Sequence, residues 1–147
     1  MIKLKFYYVN GGIHPLIGQV YHRLTEAIGG DTAKRYHQYL GDVLSDLAQG
    51  IDACDQLLGY IKDIESGAQT EIKTGGNDVT LTFNKSGVQV DIEVTEDWVG
   101  QADGHFKLSE WKLALIGWRR FLETPESLDS VVEVDLPEEN DRYDPRT

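Results

Sequence analysis

The sequence predicts an α+β fold in which helices pack on one face of a mainly antiparallel sheet. Two observations support this class. Apolar residues recur with helical spacing in residues 31–66 and 108–124, which is typical of amphipathic helices. Between these segments apolar and polar residues alternate, which is typical of strands that bury one face. The predicted order is a strand, helices, a three-strand meander, a helix and a strand.

The N-terminal segment is predicted to contain one strand and one short helix. Residues 2–9 are rich in β-branched and aromatic side chains and form the strand, which Gly11 and Gly12 end. Pro15 is interpreted as the first residue of a helix that ends before Gly29. The predicted apolar face of this helix consists of Ile17, Val20, Tyr21, Leu24 and Ile28.

Two clearer helical segments follow, at residues 31–49 and 51–66. Asp31 precedes the first segment and Asp52 lies at the start of the second, and both are side chains that favour helix caps. Gly50 lies between them, and the spacing permits either a break or a kink in one continuous helix. Cys54 lies on the apolar face, so we interpret it as a packing residue and not as a nucleophile.

After Gly67 the apolar period changes to two, and three strands are predicted at residues 70–74, 78–84 and 87–95. In the third strand valines and one isoleucine, the last of them Val94, point to one face. Polar residues, among them Asp91 and Glu93, point to the other. One face of the sheet is therefore expected to be wet and acidic. The following residues, 96–106, are expected to form a loop.

The segment at residues 108–124 is predicted to be the central helix. Ser109 is interpreted as its N-cap, and Pro125 as the residue that stops it. Gly117 inside this helix indicates close approach of another backbone. We interpret its apolar stripe as core, with a cofactor site built on the tryptophans as the alternative. The stripe consists of Trp111, Leu115, Trp118 and Leu122.

The length of 147 residues predicts one domain, at residues 1–137, with a last strand at 130–137 and an acidic tail at 138–147. No apolar run approaches the roughly 20 residues of a membrane span. The N-terminus lacks the features of a signal peptide, and a single cysteine excludes an internal disulfide framework. We therefore expect a cytoplasmic location.

The formal net charge of −11 is concentrated in two segments. Residues 91–106 carry −5 and residues 126–147 carry −6, while the remainder of the chain balances to zero. Such surfaces repel nucleic acid and anionic membranes, and they attract a basic partner. The alternative is that these charges serve solubility alone.

Motifs for metal, nucleotide or nucleophilic chemistry are missing from the sequence. The four histidines form no HExxH pair, and no phosphate loop, GxGxxG or GxSxG spacing occurs. We therefore expect neither a metal nor a cofactor. His105, which lies in the acidic loop at 96–106, is expected at the surface.

The candidate partner-binding residues are acidic side chains of the two charged segments and one tryptophan. Trp98 lies beside Glu96 and Asp97, where it serves either as an interface anchor or as a loop residue folded back on the core. The full set is Asp91, Glu93, Glu96, Asp97, Trp98, Asp103, Asp129, Glu133, Asp135, Glu138 and Glu139.

Residues 40–125 resemble small bacterial immunity proteins of polymorphic-toxin and contact-dependent growth inhibition systems. The resemblance rests on a helix pair ending in glycine, a short meander, and a helix with the pattern Leu-Ser-acidic-aromatic, Ala-Leu, Trp-Arg-x-Phe-Leu at residues 108–122. It implies a non-catalytic, cytoplasmic protein that binds and neutralises a toxin domain, commonly a nuclease. The acidic charge favours a basic toxin such as an RNase. The alternatives are a small enzyme using the carboxylates near 91–103 and an acidic regulatory adaptor.

Overall fold

In a computed structural model, which describes residues 2–136, the strands form two antiparallel sheets. The N-terminal sheet has the order β2 (Gly18–Ile28), β1 (Ile2–His14), β7 (Val131–Leu136). The meander sheet has the order β3 (Glu71–Gly76), β4 (Val79–Asn84), β5 (Gly87–Ile92), β6 (His105–Phe106). The predicted α+β class is confirmed, with the strands divided between two sheets.

Four α-helices accompany the sheets in the described residues. The first run begins with α1 (Ala33–Tyr36), passes through a π-helical turn at His37–Gly41 and ends with α2 (Asp42–Leu47). The next helices are α3 (Ile51–Ser66) and α4 (Leu108–Leu122). Gly50, with φ −140° and ψ 167°, is extended, so α2 and α3 are two separate helices and not one kinked helix.

The predicted helix at residues 15–28 is wrong, because this segment forms β2 instead. It pairs with β1 over nearly its whole length, from Gly18 opposite His14 to Ile28 opposite Lys3. Leu24 and Ile28, assigned to a buried helix face, lie on the exposed side of the sheet. Hydrogen bonds with β1 stabilise the extended conformation of this segment. The spacing of apolar residues within the segment gives no information about these bonds.

The meander was predicted correctly up to Ile92, where β5 ends. Val94 was expected to pack inward but is 72% exposed, because it lies beyond the last strand pair. The segment 96–106 was expected to be a loop throughout, yet His105 and Phe106 form β6 by pairing with β5. His105 is therefore 5% exposed, and its predicted surface position is wrong.

The predicted helix caps are also wrong. Thr32 and Gly50 occupy the N-cap positions of the first and third helices, in place of Asp31 and Asp52. At α4 the N-cap is Lys107 instead of Ser109. Glu110 accepts a hydrogen bond from the Lys107 backbone N–H at 3.1 Å, so the N–H of the N-cap residue has a hydrogen-bond partner.

Helix α4 lies between the two sheets and organises the core. The ring centroids of Trp111 and Phe83, in the meander sheet, are 6.5 Å apart, and those of Trp118 and Phe6, in the N-terminal sheet, are 5.0 Å apart. Trp118 Nε1 also donates to the Ala48 carbonyl at 2.7 Å. Trp111, Leu115 and Trp118 are fully buried and Leu122 is half-buried against the core, so the interpretation of the stripe as core is confirmed.

Gly117 lets β7 pack closely on α4. A Cβ at this position would overlap Val134 Cγ2 and lie 3.6 Å from Phe6. The close approach predicted from the sequence is therefore present, but a side chain makes it and not a backbone.

None of the helices between Ile2 and Leu136 combines the length and hydrophobicity required to cross a lipid bilayer. The strand predicted at 130–137 is present as β7, and the predicted tail at 138–147 lies outside the described residues.

Candidate protein-binding site

An open cleft of about 480 Å³ lies between the start of the helical run and the loop that precedes β6. This loop, residues 96–104, contains two 3₁₀ turns at Glu96–Trp98 and Ala102–Gly104. One wall carries Asp31, Lys34 and Tyr39, and the loop supplies Asp97, Trp98 and Asp103. Residues that lay in separate parts of the sequence are thereby brought around one concave surface.

Strand β5 holds the loop in place. Asp91 Oδ1 accepts a hydrogen bond from the Gly100 N–H at 2.8 Å, and Gln89 Nε2 donates to the Gln101 carbonyl at 2.9 Å. Gly100 has φ +68°, a conformation that glycine adopts without strain. Asp91, predicted to bind a partner, therefore has a structural role in shaping the loop.

Arg35 ties the loop to α1 from beneath the cleft. Its guanidinium donates to the carbonyls of Asp103 at 2.9 Å and His105 at 3.1 Å. The same group lies over the rings of Tyr36 and Phe106, 4.4 and 4.5 Å from their centroids. At 5% exposure, this buried charge is compensated by carbonyl oxygens and aromatic faces.

A second buried contact joins the same helix to α4. The Tyr36 hydroxyl donates to Glu110 Oε2 at 2.5 Å and accepts from Arg35 at 3.1 Å. Burial, together with the hydrogen bond to Glu110, raises the pKa of Tyr36 far above its usual range. The sequence analysis missed this network, because Tyr36 and Glu110 are 74 residues apart.

The electrostatic field on this side of the cleft is shaped by carboxylates. Burial raises the pKa of Tyr39, and the negative charges of Asp103 and Asp91 raise it further. Both carboxylates therefore lie close enough to Tyr39 to disfavour a phenolate. Asp31 and Asp97 add two more acidic groups to the lining, which also includes two cations, the exposed Lys34 and the buried Arg35.

The predicted residues of the first acidic segment divide between two places. Asp97, Trp98 and Asp103 line the cleft, where Trp98 keeps 39% of its surface exposed. Glu96 belongs to the same 3₁₀ turn as Trp98. Glu93 lies apart from them, because it accepts a hydrogen bond from the Thr80 hydroxyl at 2.5 Å, beside a different groove.

The predicted residues of the second acidic segment lie along the N-terminal sheet. Glu133 and Asp135 project from the exposed face of β7, opposite Lys5 and Lys3, and Lys3 Nζ is 3.8 Å from Glu133. Asp129 lies in the exposed turn before this strand. Glu138 and Glu139 fall outside the described residues.

The two acidic segments leave opposite ends of α4. A helix of 15 residues is about 22 Å long, so the chain enters and leaves it at well-separated points. Glu126, at the far end, borders the groove of Tyr21, His22 and Arg23 and not the Trp98 cleft. Within the described residues, the acidic side chains of 91–106 and of 126–136 therefore do not merge into one continuous surface.

Two further titratable side chains are held inside the fold. Burial and the nearby Arg35 charge lower the pKa of His105, whose Nε2 is 3.4 Å from the Ser86 hydroxyl. Burial and Asp55 raise the pKa of the Cys54 thiol to about 11. A thiol so protonated at neutral pH is a packing group and a poor nucleophile.

The described residues contain no group of three or more His, Cys, Asp or Glu side chains arranged to hold a metal ion. No family model, curated protein or solved structure matches this chain.

Proposed function

We propose that this chain is an immunity protein, which binds a basic toxin domain and covers its active or substrate-binding surface. The toxin class that its charge fits best is a nuclease, such as an RNase delivered by neighbouring cells. The observation that supports the proposal is the half-exposed Trp98 ring, which borders an open cleft together with Asp97 and Asp103.

This arrangement has the features of a protein-binding hot spot. Tryptophan is enriched among interface residues that carry most of the binding energy, and such residues are surrounded by polar contacts. The face of Trp98 attracts a lysine or arginine side chain, and the carboxylates beside it strengthen that attraction. A basic domain thus finds both an apolar anchor and complementary charge.

The cleft is also held in shape before any partner binds. Gln89 and Asp91 fasten the loop to β5, and Arg35 fastens it to α1. A preorganised surface loses less conformational entropy on association, so more of the contact energy appears as affinity.

The alternative of a small enzyme fits this geometry less well. A carboxyl group that acts as a general acid at neutral pH requires an apolar pocket to raise its pKa. The side chains of Asp97 and Asp103 are exposed and border solvent. We therefore propose a stoichiometric inhibitor without a cofactor, acting in the cytoplasm where a nuclease toxin finds its substrate.

The experiment measures binding of the purified chain to the toxin domain encoded by the neighbouring reading frame, at low and high ionic strength. Association is expected to slow with added salt, and Asp97→Asn is expected to lower the association rate. Trp98→Ala is expected to raise the dissociation rate by roughly thirtyfold, the effect of losing about 2 kcal/mol at a hot spot.

Matched controls separate the cleft from the rest of the surface. Leu113, 41% exposed on α4, is the apolar control, and Leu113→Ala is expected to leave dissociation unchanged. Glu71→Gln controls for the removal of one negative charge, because Glu71 lies on β3, the edge strand of the meander sheet farthest from β6 and the cleft loop. If both cleft variants bind and protect cells as the wild type does, the cleft is not the interface. If the wild type neither binds nor protects, the chain is not an immunity protein.

A further inference from the structure

The end of the β1–β2 hairpin projects beyond the core. Strand β7 pairs with β1 only as far as Tyr7, so the hairpin continues past it without a third strand. Its end exposes three large apolar side chains, Ile13 (80%) in the last part of β1 and Leu16 (88%) and Ile17 (73%) in the turn. Exposed aliphatic side chains clustered at one tip indicate a surface that another molecule covers.

Side-chain hydrogen bonds hold the hairpin end in shape. Asn10 Oδ1 accepts from the Gly12 N–H at 2.7 Å and from Gln19 Nε2 at 2.6 Å. Gln19 Nε2 also donates to the Gly12 carbonyl, and the Leu16 N–H donates to His14 Nδ1 at 3.1 Å. The apolar tip is thus presented on an ordered turn.

The outer part of this hairpin carries no formal charge. Residues 6–22 contain no Asp, Glu, Lys or Arg, although 27% of the whole chain is charged. Two copies of a chain with a net charge of −11 repel each other. The repulsion is weakest where they meet through a surface that carries no charge.

Strand β2 offers the means of pairing. It is the end strand of the N-terminal sheet, and within residues 2–136 no strand lies beyond it. An edge strand presents backbone donors and acceptors, which proteins commonly guard with charged residues, prolines or a short length. The 11 residues of β2 carry no charge before Arg23 and contain no proline.

We propose that β2 is a homodimer interface, in which the β2 strands of two copies pair antiparallel about a two-fold axis. Such pairing is self-complementary and joins two three-stranded sheets into one. With the axis at Val20, Gly18 of each copy pairs with His22 of the second copy, and the turn that carries Leu16 then lies beside Leu24 of the second copy. Leu24 is itself 39% exposed, so the pairing gives the apolar tip a partner.

The available surface suits a second copy of the chain. None of the 15 residues from 10 to 24 is buried, and their number is half to three-quarters of the roughly 20–30 residues that one side of a standard interface requires. The contact along β2 ends at Leu24, four residue steps or about 14 Å before the end of the strand, and the proposed toxin site lies beyond that end. A dimer formed here leaves that cleft open, and it does not depend on the proposed function.

The experiment is analytical ultracentrifugation of the chain, with the double variant Leu16→Asp/Ile17→Asp. The wild type is expected to sediment as a dimer of the 16.5 kDa chain, and the variant as a monomer. The control Leu113→Asp/Ile116→Asp adds the same charge to exposed apolar residues of α4 and is expected to remain dimeric.

Hydrogen exchange of the wild type locates the contact without any mutation. Amides on the free edge of β2 are expected to gain protection as protein concentration rises through the dimerisation range. A wild type that is monomeric at all concentrations would overturn the proposal. So would a dimer that persists in the hairpin variant and leaves the β2 amides unprotected.

Discussion

Tyr36 on α1 and Glu110 on α4 are joined by a buried hydrogen bond of 2.5 Å between the phenolic hydroxyl and Oε2. Glu110 is 2% exposed, and its other carboxylate oxygen accepts from the Lys107 backbone. The pair therefore couples the start of the helical run beside the cleft to the start of the central helix. Because both groups are buried, removing one leaves the other without its main partner.

Tyr36→Phe is expected to lower the free energy of unfolding by about 1–3 kcal/mol, the usual cost of stranding a buried polar group. Urea denaturation measures this change. A double-mutant cycle with Glu110→Gln is expected to show that the two effects are not additive, because the residues contact each other. Additive effects would show that the hydrogen bond contributes nothing beyond the separate packing of each side chain.

Acidification is expected to destabilise the protein through His105. Its pKa is lowered in the folded state, so the stabilising contribution is present above the unfolded value of about 6.5 and is lost as pH falls below it. The unfolding free energy of the wild type, followed between pH 8 and about pH 5, should fall more steeply than that of His105→Gln. The control variant His22→Gln, at an exposed position, retains His105, so its unfolding free energy should fall with pH as steeply as that of the wild type. Equal slopes in the wild type and both variants would show that His105 does not cause the pH dependence.

Trp118→Ala is expected to destabilise the fold by about 3–5 kcal/mol, because it empties a large volume beside Phe6 and Phe121. It also removes the donor to the Ala48 carbonyl, which joins α4 to the α2–α3 connection. Trp118→Phe keeps part of the ring volume and loses the hydrogen bond, so a smaller loss is expected. Melting of Trp118→Ala at the wild-type temperature would contradict the packing described for this helix.

Gly117→Ala is expected to destabilise the protein, although alanine is favoured by about 1 kcal/mol over glycine within a helix. The added Cβ overlaps Val134 Cγ2, and overpacking of a core costs about 1–3 kcal/mol. Val134→Ala in the same chain should recover part of the loss measured for Gly117→Ala alone. If Gly117→Ala stabilises the protein instead, β7 can shift away from the helix at little cost.

The sequence determined the α+β class, the helices at 51–66 and 108–122, the meander and the buried face of α4. Each of these depends on periodic apolar residues that bury one face, a property that a short window of sequence records. The sequence also sufficed to name Asp97, Trp98 and Asp103 as candidate partner-binding residues, because a tryptophan next to several carboxylates is visible without the fold.

Tertiary structure alone decided the remaining features. Residues 18–28 contain apolar residues with helical spacing, yet their pairing with β1 makes them a strand. His105 is buried because β6 pairs with β5, and Arg35 reaches the cleft loop across 68 residues. The described parts of the two acidic segments, residues 91–106 and 126–136, are separated because the length of α4 lies between them. These outcomes depend on contacts between residues that are far apart in the chain. Neither the composition of a segment nor the spacing of its apolar residues shows how strong such contacts are.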